Sequence, residues 1–177
     1  IPQPPFEARL NLAQYLFSSA RYQEAEAAFG ALAEIAPDET RQTLRLKQGE
    51  ALARLKMNEE AIGVFESVVR EAENPRDVQK GLFWLARIAV RLNDDSRLMG
   101  LEKQLAENGP RSPERIRAMY YVADALDDAG DFEGASIAYR NIINTFPSSR
   151  TAKEAAWRMG WMAYRNGNFD EAIRVFL

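Results

Sequence analysis

The chain has 177 residues, 46% apolar and 28% charged, with 10 glycines and 8 prolines, a globular composition rather than a disordered one. Its net charge is −3, and Lys/Arg against Asp/Glu run 11 to 13 in residues 1–88 and 12 to 13 in 89–177, so neither half has the basic excess that a phosphate backbone demands. Histidine and cysteine are absent, which excludes Ser–His–Asp and Cys–His catalysis, Cys/His zinc sites and disulfides.

The chain opens Ile1-Pro-Gln-Pro-Pro, with neither a basic region nor an apolar signal core. From residue 6 the apolar residues recur at three- and four-residue steps, and the pattern then repeats itself. Four segments align: Tyr22-Gln-Glu-Ala-Glu-Ala-Ala-Phe29, Asn58-Glu-Glu-Ala-Ile-Gly-Val-Phe65, Phe132-Glu-Gly-Ala-Ser-Ile-Ala-Tyr139 and Phe169-Asp-Glu-Ala-Ile-Arg-Val-Phe176. Each places an aromatic four residues after a small alanine (Ala25, Ala61, Ala135, Ala172), and a degenerate unit with Leu98 and Glu102 fills the gap at the same spacing of 36 or 37. Five helix-pair units follow, at about 6–39, 42–75, 79–112, 116–149 and 153–177, the last incomplete, forming a single domain over 1–177.

Within each unit a short polar turn separates the two helices, as at Lys56-Met57-Asn58, Asn93-Asp94-Asp95, Ala129-Gly130-Asp131 and Asn166-Gly167-Asn168. Glycine or asparagine there takes the left-handed conformation that ends a helix. Second helices are expected to stop near Pro37, Pro75, Pro110 and Pro147, because proline lacks the donor a helix needs and restricts the residue before it. The longest apolar stretches, Leu82–Val90 and Ala155–Tyr164, are interrupted by Arg87 and Arg158 and fall short of the roughly 20 residues of a membrane span. The last helix opens at Asn168–Phe169 and the sequence stops at Leu177, which is read as the expectation that this is a piece of a longer polypeptide.

The small residues Ala13, Gly49, Ala86, Ala123 and Gly160, the alanine-plus-aromatic pairs and the closing prolines resemble the tetratricopeptide repeat (TPR) family over nearly the whole chain. The resemblance is weakest in the third unit, and the spacing exceeds the family's usual 34. It implies an all-α, right-handed α-α superhelix with no catalytic machinery and no cofactor or metal, whose concave groove, lined by first helices, holds a protein or peptide partner. The stretch from Phe146-Pro-Ser-Ser-Arg through Ala155-Ala-Trp-Arg-Met-Gly-Trp-Met-Ala-Tyr-Arg-Asn-Gly-Asn-Phe-Asp-Glu-Ala172 is similar to bacterial envelope TPR proteins, namely tol–pal-associated and outer-membrane assembly lipoproteins. It is similar also to the superhelical arm of soluble lytic transglycosylases. The first likeness implies a periplasmic or outer-membrane-associated scaffold, with the cytoplasm as the alternative. The second implies a structural arm of a larger peptidoglycan-cleaving enzyme, which would bring any peptidoglycan association.

Carrying the groove over by repeat alignment selects Phe83, Arg87, Arg117, Tyr120, Asp124, Trp157, Trp161 and Tyr164 as partner-groove candidates. Trp157, Trp161 and Tyr164 lie at four- and three-residue steps and so form one stripe. Such a stripe either lines the groove or packs as core. Arg87, Arg91 and Arg117 either clamp a carboxylate, such as a peptide C-terminus, or stand as solvated surface charges. The acidic run Asp124, Asp127, Asp128, Asp131 and Glu133 fails the calcium-loop pattern, and Asp131 is expected to cap the following helix.

Overall fold

The computed structural model describes residues 4–176 and, among them, ten helices and no strand. First helices are α1 (Phe6–Ser18), α3 (Asp38–Arg54), α5 (Pro75–Leu92), α7 (Pro113–Asp128) and α9 (Arg150–Arg165). Second helices are α2 (Tyr22–Ile35), α4 (Asn58–Glu71), α6 (Asp95–Asn108), α8 (Phe132–Thr145) and α10 (Phe169–Phe176). This is the all-α fold of five helix pairs that the repeat spacing calls for. From α3 onward the first helices begin a few residues earlier than the repeat alignment placed their units. Pro75 and Pro113 open helices, where a missing N–H costs nothing.

The turns inside the pairs share one geometry. Ala20, Lys56, Asn93, Gly130 and Gly167 all take positive φ, at 59°, 63°, 54°, 79° and 74°. At each, the next residue's N–H reaches back to close the helix end: Arg21 to Leu16, Met57 to Leu52, Asp94 to Ala89, Asp131 to Leu126 and Asn168 to Ala163, at 2.9–3.0 Å. This is the Schellman arrangement. Short turns of this kind force the two helices of a pair to pack side by side. The second helices then start on side-chain caps where the sequence supplies one. Asp94 accepts from the Arg97 N–H and Asp131 from the Gly134 N–H, the cap expected of Asp131.

Contacts divide the chain into two compact units, residues 1–88 and 89–177. In the first, α1 through α4 pack in sequence, with Ala25, Ala61, Phe29 and Phe65 buried. The small first-helix residues Ala13 and Gly49 lie against this core. In the second, α6 through α10 pack in sequence around Ala123, Ala135, Tyr139, Ala155 and Met159. The degenerate third repeat has its own solution. Leu98 fills the alanine place and is buried, while Glu102, at the aromatic place, accepts a hydrogen bond from Arg115 Nε on α7 at 3.1 Å. An ion pair thus replaces ring packing there. The opening aromatics Phe132 and Phe169 lie on the surface, because only the residue four positions after the alanine falls between the two helices.

A candidate partner-binding face on the first helices

In unit 1, first helices α1 and α3 carry a cavity of about 200 Å³ lined by Phe6, Leu10, Gln14, Phe29, Thr43 and Lys47, among others. The Lys47 ammonium stands 5.4 Å from the Phe17 ring and 3.0 Å from Glu50. Leu10 and Gln14 stand at the repeat positions of Phe83 and Arg87, and Glu50 stands at that of Arg87, whereas Lys47 lies outside that set.

On α5, Phe83 is 8% exposed and belongs to the buried residues, so its ring offers a partner little. Arg87 is exposed, and its guanidinium lies 4.3 Å from the centre of the Trp84 ring and 6.0 Å from that of Phe83. Trp84 in turn stacks on Phe65, centres 5.8 Å apart with planes 4° from parallel. Arg87 therefore lies over the aromatic residues of its own helix.

In unit 2 the groove candidates on α7 and α9 come together, because these two first helices touch. Arg158, on α9, donates from Nε to the Tyr120 hydroxyl at 3.2 Å and lies 3.5 Å from the Asp124 carboxylate. Asp124 also accepts a long 3.4 Å hydrogen bond from the Tyr139 hydroxyl. One turn further along α7 and two along α9, Arg165 pairs with Asp127 at 2.5 Å, and the Asp127 side chain is only 8% exposed. Burial pushes the Tyr139 phenol far above its ordinary value, with the Asp124 charge adding to the effect. Tyr120 moves the same way, mainly through burial. The hydrogen bond to Tyr120 raises Arg158, the first of several causes. These arginine bridges, invisible to a search for groove residues alone, span α7 and α9 alongside the apolar core the two helices share. Arg117 stays exposed on α7.

The aromatic stripe is not buried. Trp157, Trp161 and Tyr164 are 53%, 44% and 53% exposed, and with Phe169 they make a ladder of edge-to-face rings at 5.8, 5.6 and 5.6 Å. Edge-to-face contact suits the ring quadrupoles and holds each ring in place while leaving about half of it to solvent. Among the described residues, no group of Asp, Glu, His or Cys is arranged to hold a metal, and no helix is long and apolar enough to cross a membrane.

Models of the tetratricopeptide repeat match residues 6–39, 43–74 and 123–177. No curated protein sequence matches the chain. Among solved structures it is similar to MamA from Desulfovibrio magneticus RS-1, at 17% identity over 97% of this chain and 90% of that one, TM-score 0.71. A tetratricopeptide repeat protein from Parabacteroides merdae gives 17% identity over 97% of this chain and 64% of that one, TM-score 0.74. YrrB, a TPR protein with an unusual peptide-binding site, gives 18% identity over 94% of this chain and 80% of that one, TM-score 0.62. With matching models in both halves, a five-fold turn geometry and TPR structures that superpose over nearly its full length, the chain belongs to the tetratricopeptide repeat family.

Proposed function

We propose that this chain is a non-catalytic protein-interaction scaffold that holds a segment of a partner protein against the first helices of unit 2, and that it works in the bacterial cell envelope. The observation that carries the reading is the exposed ladder of Trp157, Trp161 and Tyr164 beside the Tyr120–Arg158–Asp124 network. Exposed contiguous rings forgo the favourable transfer from water of about 25 cal/mol per Å² that burial brings. Trp, Tyr and Arg are also the side chains that dominate binding energy at interfaces. Support comes from YrrB, a relative in fold with a peptide-binding site. The envelope part is supported by the likeness of residues 146–172 to envelope TPR repeats.

The test is affinity capture with the immobilised chain and a Trp157→Ala/Trp161→Ala/Tyr164→Ala variant of matched helicity, exposed separately to envelope and cytosolic extracts. A protein retained from the envelope extract by the parent and lost by the variant supports the proposal. Retention from cytosol alone overturns the compartment. Equal retention by both forms overturns the face.

A further inference from the structure

Unit 2 holds a second feature next to the Tyr120–Arg158–Asp124 network, and Asp124 belongs to both. Its carboxylate meets Arg158 on α9, and it also lines a cavity of about 200 Å³ beside α7. Val90, Leu98 and Ala125 give this cavity apolar walls, Asp95, Asp124 and Asp128 give it carboxylates, and no described residue lining it is basic. The acids are not equally answered. Arg158 faces Asp124, whereas neither Asp95 nor Asp128 pairs with a cation among the described residues. Asp95 lies in the first turn of α6, where negative charge suits the helix dipole. Asp128 lies in the last turn of α7, which contains no basic residue, and there the dipole disfavours an anion. Its charge therefore has no stabilising role within the helix that carries it.

We infer that the exposed aromatic face of α9 docks an extended basic segment of a partner protein, with a lysine or arginine in the Asp95/Asp124/Asp128 cavity and an apolar or aromatic residue on Trp157 and Trp161. The argument is charge complementarity joined to shape. A long cationic side chain lays an aliphatic stem along apolar walls and sets its head among oxygens. The cavity offers those walls and those oxygens together. Neighbouring helices stand about 8–10 Å apart and an extended chain advances about 3.3 Å per residue, so the two anchors are roughly two to three residues apart in the bound segment. The inference rests on the proposed groove function and adds the chemistry of the occupant.

The experiment is selection of a random short-peptide display library on the whole chain, followed by titration of synthesised winners against the parent and two variants. The variants are Asp95→Asn/Asp128→Asn and Trp157→Ala/Trp161→Ala. Asp128→Asn alone serves as a folding control, since it removes an anion from a helix C-terminus and should hold or raise the thermal midpoint. Expected are winners with Lys or Arg spaced as above from an apolar residue, weakened about tenfold or more by Asp95→Asn/Asp128→Asn and progressively by salt. Acidic or neutral winners that need the tryptophans overturn the cationic occupant and leave the groove reading standing. Basic winners that bind Asp95→Asn/Asp128→Asn undiminished overturn the cavity as their seat. Failure to select any peptide, or binding indifferent to Trp157→Ala/Trp161→Ala, overturns the inference together with the groove.

Discussion

Phe65 lies so close to Gly49 that a Cβ placed on the glycine would stand 2.7 Å from the ring. Gly160 and Phe176 stand in the same relation at the same distance, one helix pair of unit 2 reproducing one of unit 1. The small residue exists because the aromatic four places past the repeat alanine crosses between the helices at that point.

The two contacts differ in what surrounds the ring, and this sets opposite expectations for one substitution. Phe65 is fully buried and cannot retreat, so Gly49→Ala should lower stability by about 1–2 kcal/mol, the overpacking cost less the gain in helix propensity. Phe176 is 49% exposed and can swing aside, so Gly160→Ala should be near neutral. Gly63→Ala, with open space around the added carbon, should stabilise by about 0.5–1 kcal/mol. Denaturant midpoints of the three variants check the order, and equal effects at residues 49 and 160 would sink the argument.

Lys56 occupies, at φ 63° and on the surface, the turn position that Gly130 and Gly167 fill elsewhere. A side chain there carries left-handed strain. Lys56→Gly should therefore stabilise by up to about 1 kcal/mol despite the added freedom of the unfolded chain. The thermal midpoint should rise; a fall would mean the unfolded-state entropy outweighs the strain.

Glu102 and Arg115 take over the job of an aromatic contact in the third repeat, with side chains 23% and 18% exposed. A double-mutant cycle through Glu102→Ala and Arg115→Ala should give a coupling of about 0.5–1.5 kcal/mol, more than an exposed pair and smaller in high salt. A coupling indistinguishable from zero in low salt would leave the third repeat without this compensation.

Tyr139 sets an alkaline limit on unit 2. Its phenol is raised above the ordinary value of 10.0 by burial, so the folded chain keeps a proton that the unfolded chain releases. The associated stability is fully present below about pH 10 and declines as pH rises beyond it. Tyr139→Phe removes the phenol, and its stability should fall less steeply above that pH than the parent's. Parallel pH profiles for the two proteins would contradict this assignment.

Much of the fold was legible in the residues. The Ala25, Ala61, Ala135 and Ala172 spacing located the second helices, and Asn93, Gly130 and Gly167 marked turns that do take positive φ. Ala20 and Lys56 were not recognisable as left-handed, since nothing in either side chain favours that conformation; their place in the repeat imposes it. The groove was legible only as a set of positions. Periodicity put Phe83 and Trp157 in equivalent places, yet one is buried and the other exposed. Period alone cannot say which neighbours cover a ring.

What the sequence determined by itself is the local part, namely helices, turns and the small-to-aromatic pairing in every repeat but the third. Those depend on residues within a few turns of one another, and their period survives in the letters. Tertiary structure alone decided that Arg158 would bridge Tyr120 and Asp124, that Arg165 would cover Asp127, and that Asp95 and Asp128 would share one cavity without a cation. Each of those meetings joins residues from different helices. Distance and burial there are products of packing, and charge becomes a binding property only once packing has chosen which charges are left unanswered.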